Sequence, residues 1–303
     1  MVTDTEYMVK KCRMDTMLKI KTKRLFQIFI VALIVASCST TKKVAISPRA
    51  QADILYNKAE YANALIAYQA LDSASRDSAV YHNMALSAFM VQNFTIAVEA
   101  TRNITPDSIL KVKFNNFIDS LNTYSSQIAV VENNIDFFQQ IVGQKVYDKL
   151  VLYYDSREDS KLVDVYSKAS AQVRSECFPK YFSFVRNEKS NTELIQVCKN
   201  ALADNKNQIV ALKYLGVQNY NVAEADYKKA MDEYNRNKNN TTYAYLRRDL
   251  KRISAVYVKS REYLDKVHKL APEDMQTIKY LININNRLDQ PAKAKALQRL
   301  LKG

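Results

Sequence analysis

The chain is 303 residues long, with 3 glycines, 5 prolines, no tryptophan and a formal net charge of +14. Strand-rich folds consume Gly and Pro in their turns, so this composition excludes a sandwich or barrel; 48% hydrophobic residues exclude a disordered chain. Antiparallel helices on short polar loops need few glycines, and 20 Tyr with 11 Phe supply bulk for helix–helix contacts.

Four basic residues, Lys19, Lys21, Lys23 and Arg24, precede the apolar run 25–36 and then Ser37-Cys38. A run of 12 residues is too short for a bilayer span, which takes about 20, so a transmembrane anchor is disfavoured. A basic segment, a short apolar segment and small residues predict a signal peptide over 1–37. Val35-Ala36-Ser37-Cys38 resembles the bacterial lipobox, which implies lipid attachment at Cys38. Residues 1–16 precede a better start at Met17 and read as a mis-annotated beginning. Seven basic and three acidic residues leave with the leader, taking the net charge from +14 to +10. An exported chain rarely meets nucleic acid, so no nucleic-acid partner is expected. Cys12 also leaves with the leader, so Cys177 and Cys198 remain in an oxidising compartment. Their spacing of 21 residues suits one helical hairpin, either as a disulfide or as two buried apolar side chains.

Residues 38–46 form a polar tether after the lipidated cysteine. Helical periodicity then runs to the C-terminus, and no long window alternates with period two. Pro48, Pro106, Pro179, Pro272 and Pro291 are expected where helices begin or end. Ala64-Leu-Ile-Ala-Tyr68 lies 33 residues before Ala97-Val-Glu-Ala-Thr101, and each is preceded by an aromatic, Tyr61 and Phe94. Tyr81, Met84, Ala85, Phe94, Ala97 and Ile104 then fill the pattern of the tetratricopeptide (TPR) repeat, which the chain resembles; Thr101 fills its inner position poorly. The frame returns in Leu212-Lys-Tyr-Leu-Gly216, in 257–272 with its closing proline, and in Ile278, Leu281, Leu288, Ala294 and Leu301. Small residues at Ala64, Ala85, Ala97 and Gly216 suit close helix crossings.

The middle is degenerate. Residues 107–205 keep the helical pattern in three pairs, one outlined by Tyr147, Leu150, Tyr154, Leu162 and Tyr166, another by Tyr181, Val185, Leu194, Cys198 and Ala201. No small residue marks a crossing in 107–142. Some 33 residues are inserted after Asn221 as two helix-forming arms around the polar segment 235–242, so a long hairpin over 222–254 is expected near the C-terminus. Such an extended penultimate repeat resembles those of Bacteroidetes-type periplasmic TPR lipoproteins. The resemblance implies an all-α, right-handed TPR-like superhelix (solenoid): TPR and degenerate TPR-like repeats over 47–205, then C-terminal repeats with the inserted hairpin over 206–303.

No catalytic constellation is legible. His82 and His268 are the two histidines, no metal-ligand spacing occurs, no Gly-rich phosphate loop exists, and no nucleophile has an evident partner. Pairs such as Glu158-Asp159 read as solvated loop charge. Neither enzyme activity, a cofactor nor a metal is expected.

A solenoid binds on its concave face, lined by first helices. By the TPR frame that face holds His82, Leu86, Phe89, Lys213, Val217, Tyr220, Lys279, Asn283 and Arg287, suited to an acidic or aromatic-bearing peptide. Most of these read more readily as ordinary surface or packing residues. A chaperone-type carboxylate clamp is rejected, because Asn83 alone fits it. The hairpin carries a basic-aromatic strip of Tyr243, Tyr245, Arg247, Arg248, Lys251 and Arg252, which could reach a membrane headgroup or a partner, and reads more readily as a solvated helix face. Asp-Ser followed by an apolar residue at Ser73, Ser78, Ser108 and Ser120 resembles a Bacteroidetes O-glycosylation motif, and reads equally as helix capping. The expectation is a non-enzymatic scaffold, lipid-anchored at the outer membrane and facing the periplasm, that binds envelope proteins or peptides. Its alternatives are an accessory subunit of an envelope machine (secretion, gliding or outer-membrane assembly) and a binder of anionic glycolipid or glycan. The sequence sets no oligomeric state.

Overall fold

The computed structural model describes residues 46–121 and 127–301. The expected leader, Cys38 and most of the tether lie outside the described residues. Fifteen α-helices and no strands occur among the described residues, so the chain is all-α. No described helix is long and apolar enough to cross a membrane.

The chain divides into two compact units, Met1–Ser75 and Arg76–Gly303. In the first, α1 (Pro48–Asn57) and α2 (Tyr61–Gln69) form a hairpin. Ser47 starts α1 by accepting from the Ala50 N–H, and Pro48 takes the first position, where a missing N–H costs nothing. Fully buried Ala52, Ala64 and Tyr68 close the pair, and the Tyr68 hydroxyl donates to Asp53 at 2.6 Å.

The second unit opens with α3 (Ser78–Met90) and α4 (Phe94–Thr101), another hairpin. Asp77 caps α3 and Asn93 caps α4 through the Val80 and Ile96 amides. Ala85 and Ala97 are fully buried, as close crossing requires. Thr101 is buried too; its hydroxyl donates to the Ala97 carbonyl at 2.7 Å, which makes a polar side chain tolerable there.

Residues 107–205 depart from three equal pairs. They form α5 (Ser108–Asp119), α6 (Ile128–Glu132), α7 (Ile135–Val142), α8 (Lys145–Arg157), α9 (Leu162–Tyr166), α10 (Ala171–Val185) and α11 (Asn191–Asp204). α6 and α9 are single short turns of five residues. Where no small residue marks a crossing, aromatic rings fill the space. Phe114 packs edge-on to Phe89 at 4.7 Å and to Phe137 at 5.1 Å, and Phe117 stacks on Phe138 at 5.6 Å. Cys177 of α10 and Cys198 of α11 are both buried free thiols.

Pro179 corrects the expected placement of prolines. It lies inside α10, where it cannot donate to the Ser175 carbonyl one turn back. That carbonyl accepts instead from the Gln208 side chain at 2.7 Å, while Asn205 donates to the Ser175 hydroxyl at 2.9 Å. The connection after α11 therefore repairs the gap.

α12 (Ile209–Arg236) and α13 (Asn240–Leu270) are 28 and 31 residues long, and only Asn237–Asn239 join them. Asn239 and Thr242 form a reciprocal capping box, which lets a three-residue connection start α13. The expected polar loop 235–242 thus shrinks. Along the seam Gly216, Ala223 and Ala230 of α12 are buried, as are Leu246, Ile253, Ser260 and Val267 of α13. A Cβ on Gly216 would lie 2.6 Å from Leu264 Cγ, and the Ser260 hydroxyl donates to the Gly216 carbonyl at 2.7 Å. α14 (Met275–Arg287) and α15 (Pro291–Leu300) close the chain, with Ile278, Ile282 and Ala294 in one buried cluster between them, while Leu281 and Ile284 pack toward the long hairpin.

Candidate partner-binding groove

Helices α10, α12 and α14 are the leading helices of three successive hairpins, and a groove of about 660 Å³ runs along them. Pro179, Phe182 and Ser183 of α10 and Arg186, which caps its C-terminal end, line it at the spacing of one helix face. Ile209, Val210, Lys213, Tyr214, Val217, Gln218 and Asn221 line it from α12, and Asp274 and Gln276 from the start of α14. The floor is aromatic: Phe182 and Tyr214 meet edge-on at 5.1 Å. Asn191, at the start of α11, accepts from the Tyr214 hydroxyl and donates to Gln218 at 2.9 Å, so both side chains have fixed orientations.

Charge in the groove is unequally committed. Lys213 reaches Asp274 at 2.7 Å. Burial opposes ionisation of Asp274, but Lys213 and the Thr277 donors outweigh it and hold the carboxyl below its usual range. Arg186 is exposed and forms no ion pair among the described residues. The groove thus offers an apolar and aromatic floor beside one uncommitted guanidinium.

The structure brings Lys213, Val217, Tyr220, Asn283 and Arg287 together along α12 and α14, and gives several of them internal partners. Tyr220 packs on Tyr280 at 5.0 Å, and Asn283 donates to its hydroxyl at 3.4 Å. Arg287 grips Glu224 through two contacts of 2.9 Å and lies 3.9 Å over the Tyr227 ring. The Arg287 hydrogen bonds outweigh burial and hold Glu224 below the ordinary carboxylate range. These contacts fasten α14 to the hairpin. Lys279 is exposed on α14, outside the groove lining.

His82, Leu86 and Phe89 of α3 sit apart from this groove's lining. A ring nitrogen of His82 lies 3.0 Å from Asp107, whose carboxyl is held low by the Leu110 amide first and then by His82. Leu86 is buried, and Phe89 packs on Phe94 and Phe114. Tyr243, Tyr245, Arg247 and Arg248 are exposed on α13. Ser73, Ser78 and Ser108 are exposed next to acids that cap backbone amides; Ser120 is half-buried and donates to the Phe117 carbonyl at 2.7 Å.

Sequence reasoning missed Phe182, Arg186 and Tyr214. The spacing that selected Lys213 and Val217 on α12 also runs through Pro179, Phe182, Ser183 and Arg186, but the expected helix break at Pro179 hid it. Among the described residues, no group of three or more His, Cys, Asp or Glu side chains could hold a metal ion. No family model matches the chain, and no curated protein matches it significantly.

Proposed function

We propose that this chain is a non-enzymatic, lipid-anchored scaffold of TPR-like hairpins, which holds a segment of another envelope protein in the groove along α10, α12 and α14. The observation that carries this reading is the groove's composition: an aromatic floor with oriented polar groups at its edge and the uncommitted Arg186. Such a surface matches the anchors that dominate peptide recognition. The arrangement of leading helix beside leading helix supports the solenoid part of this reading, since that is how a solenoid builds an extended binding face, and its right-handed sense is carried over from the TPR resemblance. The lipobox at Cys38 supports attachment to the outer membrane, facing the periplasm.

Photo-crosslinking side chains at Arg186 and Asn221 in the groove, and at exposed Lys199 on α11, test the reading in intact cells. One envelope protein should crosslink from both groove positions and not from Lys199. Arg186→Glu should lower its recovery on the order of tenfold, as expected for reversing a charge against an acidic segment. Equal crosslinking from Lys199, or recovery indifferent to Arg186→Glu, would overturn the groove.

A further inference from the structure

The distal part of the α12–α13 hairpin carries chemistry that the groove does not use. Residues 237–252 contain five basic side chains and one acid, Asp249. At about 100° per residue, Tyr243, Arg247, Lys251, Arg248, Arg252 and Tyr245 follow one another around an arc of about 200° on α13. The remaining arc holds Leu246, Leu250 and Ile253, which face α12 in the hairpin seam. The strip is therefore cationic in the middle and tyrosine at both edges, and both rings are open, Tyr243 being 51% and Tyr245 55% exposed.

The nearby acids leave this balance positive. Asp226 of α12 sits 3.1 Å from Arg252, and Asp249 is 3.4 Å from Arg248. Arg247 and Lys251 are exposed and form no ion pair among the described residues. Arg248 also lies 5.3 Å over the Tyr245 ring. The surface is the outer side of a single helix, and none of its side chains lines the groove along α10, α12 and α14. One helix side has no walls of its own to enclose a shaped acidic peptide. A plane of diffuse negative charge would meet the whole arc, with phenol rings at the depth of the headgroups and guanidinium groups reaching the phosphates.

We propose that this face of α13 docks on an anionic phospholipid surface, so that the chain touches the bilayer through the hairpin as well as through any lipid at its N-terminus. The inference does not depend on the groove. Each cation near an anionic surface strengthens binding by about fivefold, and the effect fades with salt.

The test is co-sedimentation of the full chain carrying Cys38→Ser, so that no acyl chain contributes, with pure phosphatidylglycerol or pure phosphatidylcholine vesicles. Replacing Arg247, Lys251 and Arg248 together by Gln should weaken binding to phosphatidylglycerol on the order of a hundredfold and leave the phosphatidylcholine level unchanged. All three are exposed, so circular dichroism should not change. A charge-matched variant with Lys111, Lys199 and Lys206 replaced by Gln should bind like the parent. Equal loss in both variants would reduce the effect to net charge and overturn the proposal. So would undiminished vesicle binding by the α13 variant, whether or not it had lost binding to soluble polyglutamate.

Discussion

The Gln208 side-chain amide donates at 2.7 Å to the Ser175 carbonyl, the acceptor that Pro179 leaves without its helical N–H. Gln208 is only 7% exposed, so its amide is committed to this contact. A helix interrupted in its own ladder is thus completed by the loop that starts the next hairpin.

Gln208→Ala should cost about 1–3 kcal/mol, because it strands a helical carbonyl away from water. In a Pro179→Ala background the residue at 179 regains an N–H for Ser175, and the same change should cost much less. Denaturant unfolding of the four proteins measures the coupling. Equal costs in both backgrounds would show that the two residues act separately.

Gly216→Ala should destabilise, against the usual trend. Alanine gains about 1 kcal/mol in a helix interior, but the new Cβ would lie 2.6 Å from Leu264 Cγ, on a side chain with no exposure. Overpacking of that kind costs about 1–3 kcal/mol, so the clash should win. The melting midpoint should fall, and Leu264→Ala should make the alanine at 216 less harmful. A raised midpoint for the single variant would mean that the seam yields more readily than its burial indicates.

The Arg287–Glu224 grip should make the C-terminal part acid-sensitive. The folded-state pKa of Glu224 lies below its ordinary 4.5, so below that value the unfolded chain binds more protons. The stabilisation is complete above pH 4.5 and is lost as pH falls through the lower, folded value. Both side chains are partly exposed, which limits the contribution to about 1 kcal/mol. Glu224→Gln should lower stability near neutrality and flatten its decline in acid. A parallel pH profile for parent and variant would remove the ion pair as the cause.

Burial pushes the Cys177 thiol up to about 12, with Asp155 adding to the shift, and pushes Cys198 to about 12 as well. Neither thiol should react with maleimide at neutral pH in the folded protein, and both should react in denaturant. A chain with Cys12 and Cys38 replaced by Ser isolates the pair for mass spectrometry. Rapid native labelling at either position would contradict its packing.

Much of the helical layout was legible because burial repeats with a helical period. Ala85, Ala97 and Gly216, read from sequence as crossing points, are buried at helix contacts. The long hairpin was legible from helix-forming residues around an asparagine-rich break. Two features were hidden for physical reasons. The break expected at Pro179 is absent because Gln208, distant along the chain, satisfies the orphaned carbonyl, and a local rule cannot see that partner. Residues 107–142 were obscure because Phe114, Phe117, Phe137 and Phe138 fill space that the repeat pattern reserves for a small residue. In the groove, Lys213 was found and Arg186 was not. The number of uncommitted charges depends on which acids fold back, as Asp274 does toward Lys213.

The seam of the long hairpin has a consequence for how such an arm can vary. Gly216, Ala223 and Ala230 recur every seven residues, as do Leu246, Ile253, Ser260 and Val267, with Leu250, Tyr257 and Leu264 in the alternate register. That is the heptad of an antiparallel coiled coil, in which the small residues of α12 alternate with Tyr220, Tyr227 and Tyr234 of the same helix. A strict seven-residue repeat winds two helices left-handedly, so the arm carries its own geometry rather than borrowing it from neighbouring hairpins. Its length is then free to change in steps of one heptad per strand. Each step would move the tip by about 10 Å along the arm while every seam residue kept its partner. A step of another size would have to be taken up by local overwinding or unwinding of the pair, so reach changes most simply by the same spacing that holds the helices together.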